Sequence, residues 1–88
     1  MLVKLTEFYK PVGERPHMGE IFVSPKSVTS ICSETGSLIR EAYELGVAEG
    51  TSFSRITLNE AGYSRVIVVV GSLAEVKRKL TTRQLLRD

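Results

Sequence analysis

The sequence predicts an α+β fold: an antiparallel sheet of four or five strands, a C-terminal helix on one face and a second short helix or excursion at about 37–46. Three observations carry this. "RITLNEAGYSRVIVVV" (55–70) has two β-rich arms around a short turn. "GSLAEVKRKL" (71–80) follows with a helix start signal and an apolar stripe. Upstream, "LVKLTEFY", "EIFVSP" and "SVTSICSE" are short extended segments set between proline- and glycine-rich stretches.

"LVKLTEFY" (2–9) alternates, with Leu2, Lys4, Thr6 and Phe8 on one side and Val3, Leu5, Glu7 and Tyr9 on the other. Both sides hold apolar residues, so a strand is expected but its buried face stays open. "KPVGERPHMG" (10–19) contains two prolines and two glycines and reads as a loop. "EIFVSP" (20–25) is a strand stopped at Pro25, which has no N–H to give a ladder. In "SVTSICSE" (27–34), Val28 and Ile31 are three apart, which fits a bent strand or a turn of helix better than strict alternation.

In "TGSLIREAYELGVAEG" (35–50), Leu38, Ala42 and Leu45, with Ile39 and Tyr43 beside them, follow a helical spacing. Ser37 is placed to cap this helix and Gly46 to end it, with a strand pair as the alternative. Two turns are not stable alone, so the stripe must dock.

Around "NEAG", Asn59 and Gly62 suit a tight hairpin, with Gly62 at positive φ. In the second arm Val66, Val68 and Val70 share one face and Ile67 and Val69 the other. Ser72 and Glu75 form a capping-box pair, and Leu73, Val76 and Leu80 make the helix's buried stripe. "TTRQLLRD" (81–88) is a basic tail or an extension of that helix, beyond a core of 1–80. The whole of 1–88 is expected to be a single domain, too short for two.

Two of these stretches resemble a known family. "IFVSPKSVTSI" (21–31) is similar to the I-x-V-x-P-x-x-I-x-x-I pattern of the small FlbD-like swarming-motility proteins of flagellar operons. "RITLNEAGYSRVIVVVGSLAEVKRKL" resembles that family's hairpin, valine run and Glu/Lys-rich helix. The resemblance spans about two thirds of the chain and implies a small sheet-plus-helix architecture, with no catalytic motif. The loop at 10–19 and the segment 35–50 depart from the pattern. A phage or mobile-element protein of the same architecture would show the same order.

Composition narrows the function. An apolar share of 42% with 25% charged residues is that of a soluble globular chain. No stretch approaches a membrane span, and Lys4, Glu7 and Lys10 make "MLVKLTEFYK" unlike a signal peptide, so no membrane insertion is expected. The single Cys32 rules out an internal disulfide and a multi-cysteine zinc site, and points to a reducing, cytoplasmic setting. With one histidine, His17, there is no His-rich metal site, and no metal or cofactor is expected. Cys32 and His17 as a nucleophile and base compete with a small buried cysteine and a solvated loop histidine. Glu34, Glu41, Glu44 and Glu49 read as a solvated acidic face rather than a metal site. Neither G-x-G-x-x-G nor a P-loop occurs. No catalytic residues are assigned, and the expectation is a protein that is not an enzyme.

Charge is uneven. Residues 77–88 carry Lys77, Arg78, Lys79, Arg83 and Arg87 against Asp88, net +4, while residues 1–76 carry seven basic and nine acidic side chains, net −2. On a continued helix Lys79, Arg83 and Arg87 would form a ridge suited to nucleic-acid phosphates. Cations at a helix C-terminus also offset its dipole, and residues 64–88 hold no aromatic for base stacking.

The stronger expectation comes from the valines. Each fully buried one contributes about 1.5–3 kcal/mol, and one helix covers one sheet face. Either the helix at 37–46 covers the second face or a second copy or another protein does. The expected function is a small adaptor or regulator acting through protein contacts, self-associating as a homodimer. The alternative is a nucleic-acid-associated regulator using the basic helix. The candidate interaction residues are Ile67, Val69, Leu38 and Tyr43 for a protein partner, and Lys79, Arg83 and Arg87 for an anionic one.

Overall fold

In the computed structural model, which describes residues 2–36, 38–48 and 50–85, β-rich segments pair into one five-stranded antiparallel sheet. The strands are β1 (Val3–Tyr9), β2 (His17–Val23), β3 (Val28–Ser33), β4 (Phe53–Glu60) and β5 (Tyr63–Val70), in the order β2-β1-β5-β4-β3. Helix α1 (Leu38–Glu44) lies between β3 and β4 in sequence, and α2 (Leu73–Leu85) follows β5. The α+β architecture expected from sequence is the one observed, with five strands.

The β4–β5 hairpin turns on Ala61 and Gly62, both at positive φ, 50° and 84°. That is the geometry a two-residue hairpin turn needs to match strand twist. Beyond β5, Gly71 adopts φ 130°, and its N–H donates to the Ser52 carbonyl at 2.8 Å. The buried Ser54 hydroxyl donates to the Gly71 carbonyl at 2.9 Å, so the reversal into α2 is tied on both sides to the β4 end. The capping box forms: Ser72 N–H donates to Glu75 Oε1, and Glu75 N–H donates to Ser72 Oγ, each at 3.2 Å.

Each sheet face has its own core. Under α2 lie Val3, Leu5, Val23, Ile56, Leu58, Ile67 and Val69, sealed by Val76 and Leu80. On the opposite face Phe8, Phe53 and Val68 pack with Ala42 of α1, joined by Ile39, Val47 and Val70. The Phe8 and Phe53 rings meet at 5.8 Å and 59°. An ion pair from Lys10 Nζ to Glu41 Oε1 at 2.8 Å fastens α1 to the end of β1.

Several details differ from the sequence reading. β2 begins at His17, inside the stretch read as loop, because its first residues complete a ladder running from Tyr9↔His17 to Val3↔Val23. The Val28–Ile31 spacing arises from a register shift between Val28 and Ser30, so the extra residue, Thr29, lets both apolar side chains face α2. Thr29 Oγ1 donates to the Thr57 carbonyl there. Leu45 and Leu73 are exposed rather than in their helices' stripes: α1 ends at Glu44, and Val47 joins the core in Leu45's place. Gly46, at φ 93°, follows the end of α1 as expected, whereas Ser37 lies outside the described residues.

Candidate functional site: the open edge at β2

β2 and β3 are the two outer strands, and they differ in kind. β3 is shifted in register at its start, and its exposed residues are polar or small: Thr29, Ser30, Cys32 and Ser33. A bulged, polar edge is a poor template for another strand. β2 pairs with β1 over seven consecutive residues without a shift, between Pro16 and Pro25, and contains no proline or lysine. Its outward N–H and C=O groups therefore form a regular row for pairing.

Side chains reinforce the difference. On the face that α1 occupies, α1 reaches the middle of the sheet over Phe8, Phe53 and Val68 but leaves the β2 margin open. Met18, Glu20 and Phe22 stand there, with Phe22 58% and Met18 39% exposed. Exposed Lys4 and Thr6 of β1 lie beside Phe22 and Glu20, and by alternation the exposed Leu2 continues the same face. Glu20 enters no ion pair among the described residues. The margin is therefore an apolar–acidic–apolar row along an available strand edge.

A second feature is a cleft of about 270 Å³ lined by Glu34, Thr35, Ile39, Tyr43, Ser72 and Leu73 among others. The Glu34 side chain, 2% exposed, accepts from Arg55 Nε at 2.9 Å and from the Gly36 N–H at 2.9 Å, with Arg55 Nη2 at 2.7 Å. Burial pushes its carboxyl up, but the hydrogen bonds from Gly36, Arg55 and Thr35 together with the Arg55 charge outweigh that and hold it below the usual carboxylate range. Glu34 is thus a buried structural anchor, not part of a solvated acidic face. Among the described residues no buried side-chain polar atom lacks a partner, so the cleft presents no unmet polar group.

The residues singled out from sequence fall in different places. Ile67 and Val69 are 4% and 0% exposed beneath α2, and the neighbouring row is covered by α1 at Val68, so neither residue offers surface to a partner. Tyr43 is half-buried at the cleft, and Leu38 begins α1. Lys77, Arg78 and Lys79 are exposed on α2. Arg83 lies on the helical extension, and Arg87 falls outside the described residues. Cys32 is exposed on β3 and His17 sits on β2, at opposite sheet margins, so no Cys–His pair forms. His17 stacks on Tyr9 instead, with ring centroids 5.5 Å apart. Among the described residues no cluster of three or more His, Cys, Asp or Glu could hold a metal, and no helix is long and apolar enough to cross a membrane.

Met18, Glu20 and Phe22 were not singled out from sequence. The available signal was the doubled alternation of "HMGEIFV", in which both faces carry apolar residues although only Ile21 and Val23 find a core. Comparison with protein-family models, curated proteins and solved structures gave no match.

Proposed function

We propose that this chain is a non-enzymatic adaptor or regulator acting through protein contacts, and that it takes an extended segment of its partner onto β2 as a sixth strand. The observation that carries the proposal is the contrast between the two margins: a regular, seven-residue ladder edge flanked by exposed Phe22 and Met18 at β2, against a bulged, polar edge at β3. In strand addition the main chain supplies affinity and alternate side chains supply selectivity, so a short edge with a distinct row of side chains suffices. The exposed free thiol of Cys32 suits a reducing, cytoplasmic setting.

Self-association remains within this reading as one choice of partner. α2 covers the row of Ile67 and Val69, and on the other face α1 covers Val68 but leaves Val66 56% exposed. The test is selection from a random peptide library, followed by mapping of the selected peptides through backbone amide shifts. Peptides that shift residues 17–23 support the proposal. Peptides that shift only the cleft or α2 overturn it.

A further inference from the structure

We infer that the β2 edge selects an extended segment whose side chains run apolar, basic, apolar at alternate positions, with the basic residue opposite Glu20. This inference rests on the reading of β2 as the interaction edge and adds the chemistry of the occupant.

Residues directly opposite one another on paired strands share a face and interact. On its open face β2 presents Met18, Glu20 and Phe22 in turn, so an added strand sets its residues k, k+2 and k+4 against them. Exposed Met18 and Phe22 favour apolar neighbours at the two outer positions. The central position is decided by charge. Glu20 is the only Asp, Glu, Lys or Arg on β2, and its neighbour across β1 is the neutral Thr6. Lys4 lies diagonal to it on the same face, but no ion pair forms among the described residues, which leaves the carboxylate free to meet a cation from the open side. The apolar–basic–apolar pattern reads the same in both directions and fits a parallel or an antiparallel arrival.

The same row disfavours the central registers of pairing with a second copy. A two-fold axis normal to the sheet keeps faces matched only when a residue lies on the axis. Centred on Glu20, β2 sets Glu20 against Glu20 of the other copy, a destabilising like-charge pair. Centred on Ile21 or Gly19, it sets the carboxylate against Phe22 or Met18, which leaves the charge beside an apolar group without a complement. Glu20 therefore opposes self-pairing in the registers centred on Gly19, Glu20 and Ile21, and the same charge selects for a basic partner.

The test uses two capped heptapeptides, Thr-Val-Thr-Lys-Thr-Val-Thr and the same peptide with Glu in place of Lys, titrated into the full chain and into its Glu20→Lys variant. Binding is read from the amide shifts of 17–23, and unchanged shifts elsewhere confirm that the variant is folded. Glu20→Gln serves as a second, uncharged variant. The expected result is a roughly 2- to 30-fold preference of the native chain for the basic peptide, reversed in Glu20→Lys and abolished in Glu20→Gln. Equal binding of both peptides at β2 would overturn the charge selection while leaving the edge reading intact. No shift in 17–23 with either peptide would overturn both. Shifts at 17–23 that follow protein concentration alone would assign the edge to a second copy and overturn the inference.

Discussion

Arg55, on β4, reaches the buried carboxylate of Glu34 just beyond β3 with two of its nitrogens, at 2.9 and 2.7 Å, while its own side chain stays 49% exposed. The pair links the end of β3 to the start of the α1 excursion, because the other Glu34 oxygen accepts from the Gly36 N–H. Glu34→Ala removes the carboxylate that Arg55 and the Gly36 N–H donate to and is expected to cost about 1–3 kcal/mol, toward the low end because Arg55 can turn to water. Glu34 has a lowered folded-state pKa, so the unfolded chain binds the proton more readily. Its contribution is present above the ordinary glutamate range and is lost as pH falls through the folded value. Urea denaturation at neutral and acid pH should therefore show a larger acid loss in the native chain than in Glu34→Gln.

Gly71 and Gly19 make a matched pair of tests. A Cβ on Gly71 would sit 3.1 Å from Val76 Cγ2, and φ 130° is a region that side chains rarely adopt. Gly71→Ala should cost about 1–3 kcal/mol. A Cβ on Gly19 meets nothing within 4 Å, so Gly19→Ala should stay within about 0.5 kcal/mol of the native chain. Urea midpoints of the two variants decide it, and similar losses would contradict the β5–α2 junction described here.

Ala61 carries the hairpin's only non-glycine positive φ among the described residues, at 50°. Asparagine tolerates that conformation better, and Asn-Gly is the favoured pair for this turn. Ala61→Asn is expected to raise stability by about 0.5–1 kcal/mol, measured by thermal or urea unfolding.

The exposed Lys77, Arg78 and Lys79 supply charge without an aromatic beside them on α2. They stand in the middle of α2, more than a turn short of its end at Leu85, so they are solvated cations rather than partners of the helix dipole. Labelled mixed-sequence DNA and RNA should therefore show no saturable binding at low salt by fluorescence anisotropy. Saturable binding that is abolished when Lys79, Arg83 and Arg87 are replaced by Glu would instead support the nucleic-acid reading.

What could be read from the sequence was what depends on neighbours in the chain. The hairpin, the Ser72–Glu75 cap and the burial of Val76 and Leu80 all follow from local signals and are all present. The Glu34–Arg55 pair spans 21 residues and exists only because β3 and β4 align, so no spacing announces it. The two apolar rows of β5 were visible, but which helix covers which row depends on the reversal at Gly71. The β2 edge was hidden for a different reason. The prolines and glycines of 10–19 mark a loop correctly up to Pro16, and pairing with β1 then overrides composition from His17 onward.

Hydrogen exchange at β2 tests the central claim most directly. In the free chain every second amide of 17–23 points away from β1 and should exchange quickly, while those bonded to β1 are protected. At saturating basic heptapeptide the outward amides should slow and the alternation should disappear. Outward amides that remain fast while those of α2 or the cleft slow would contradict strand addition at this edge.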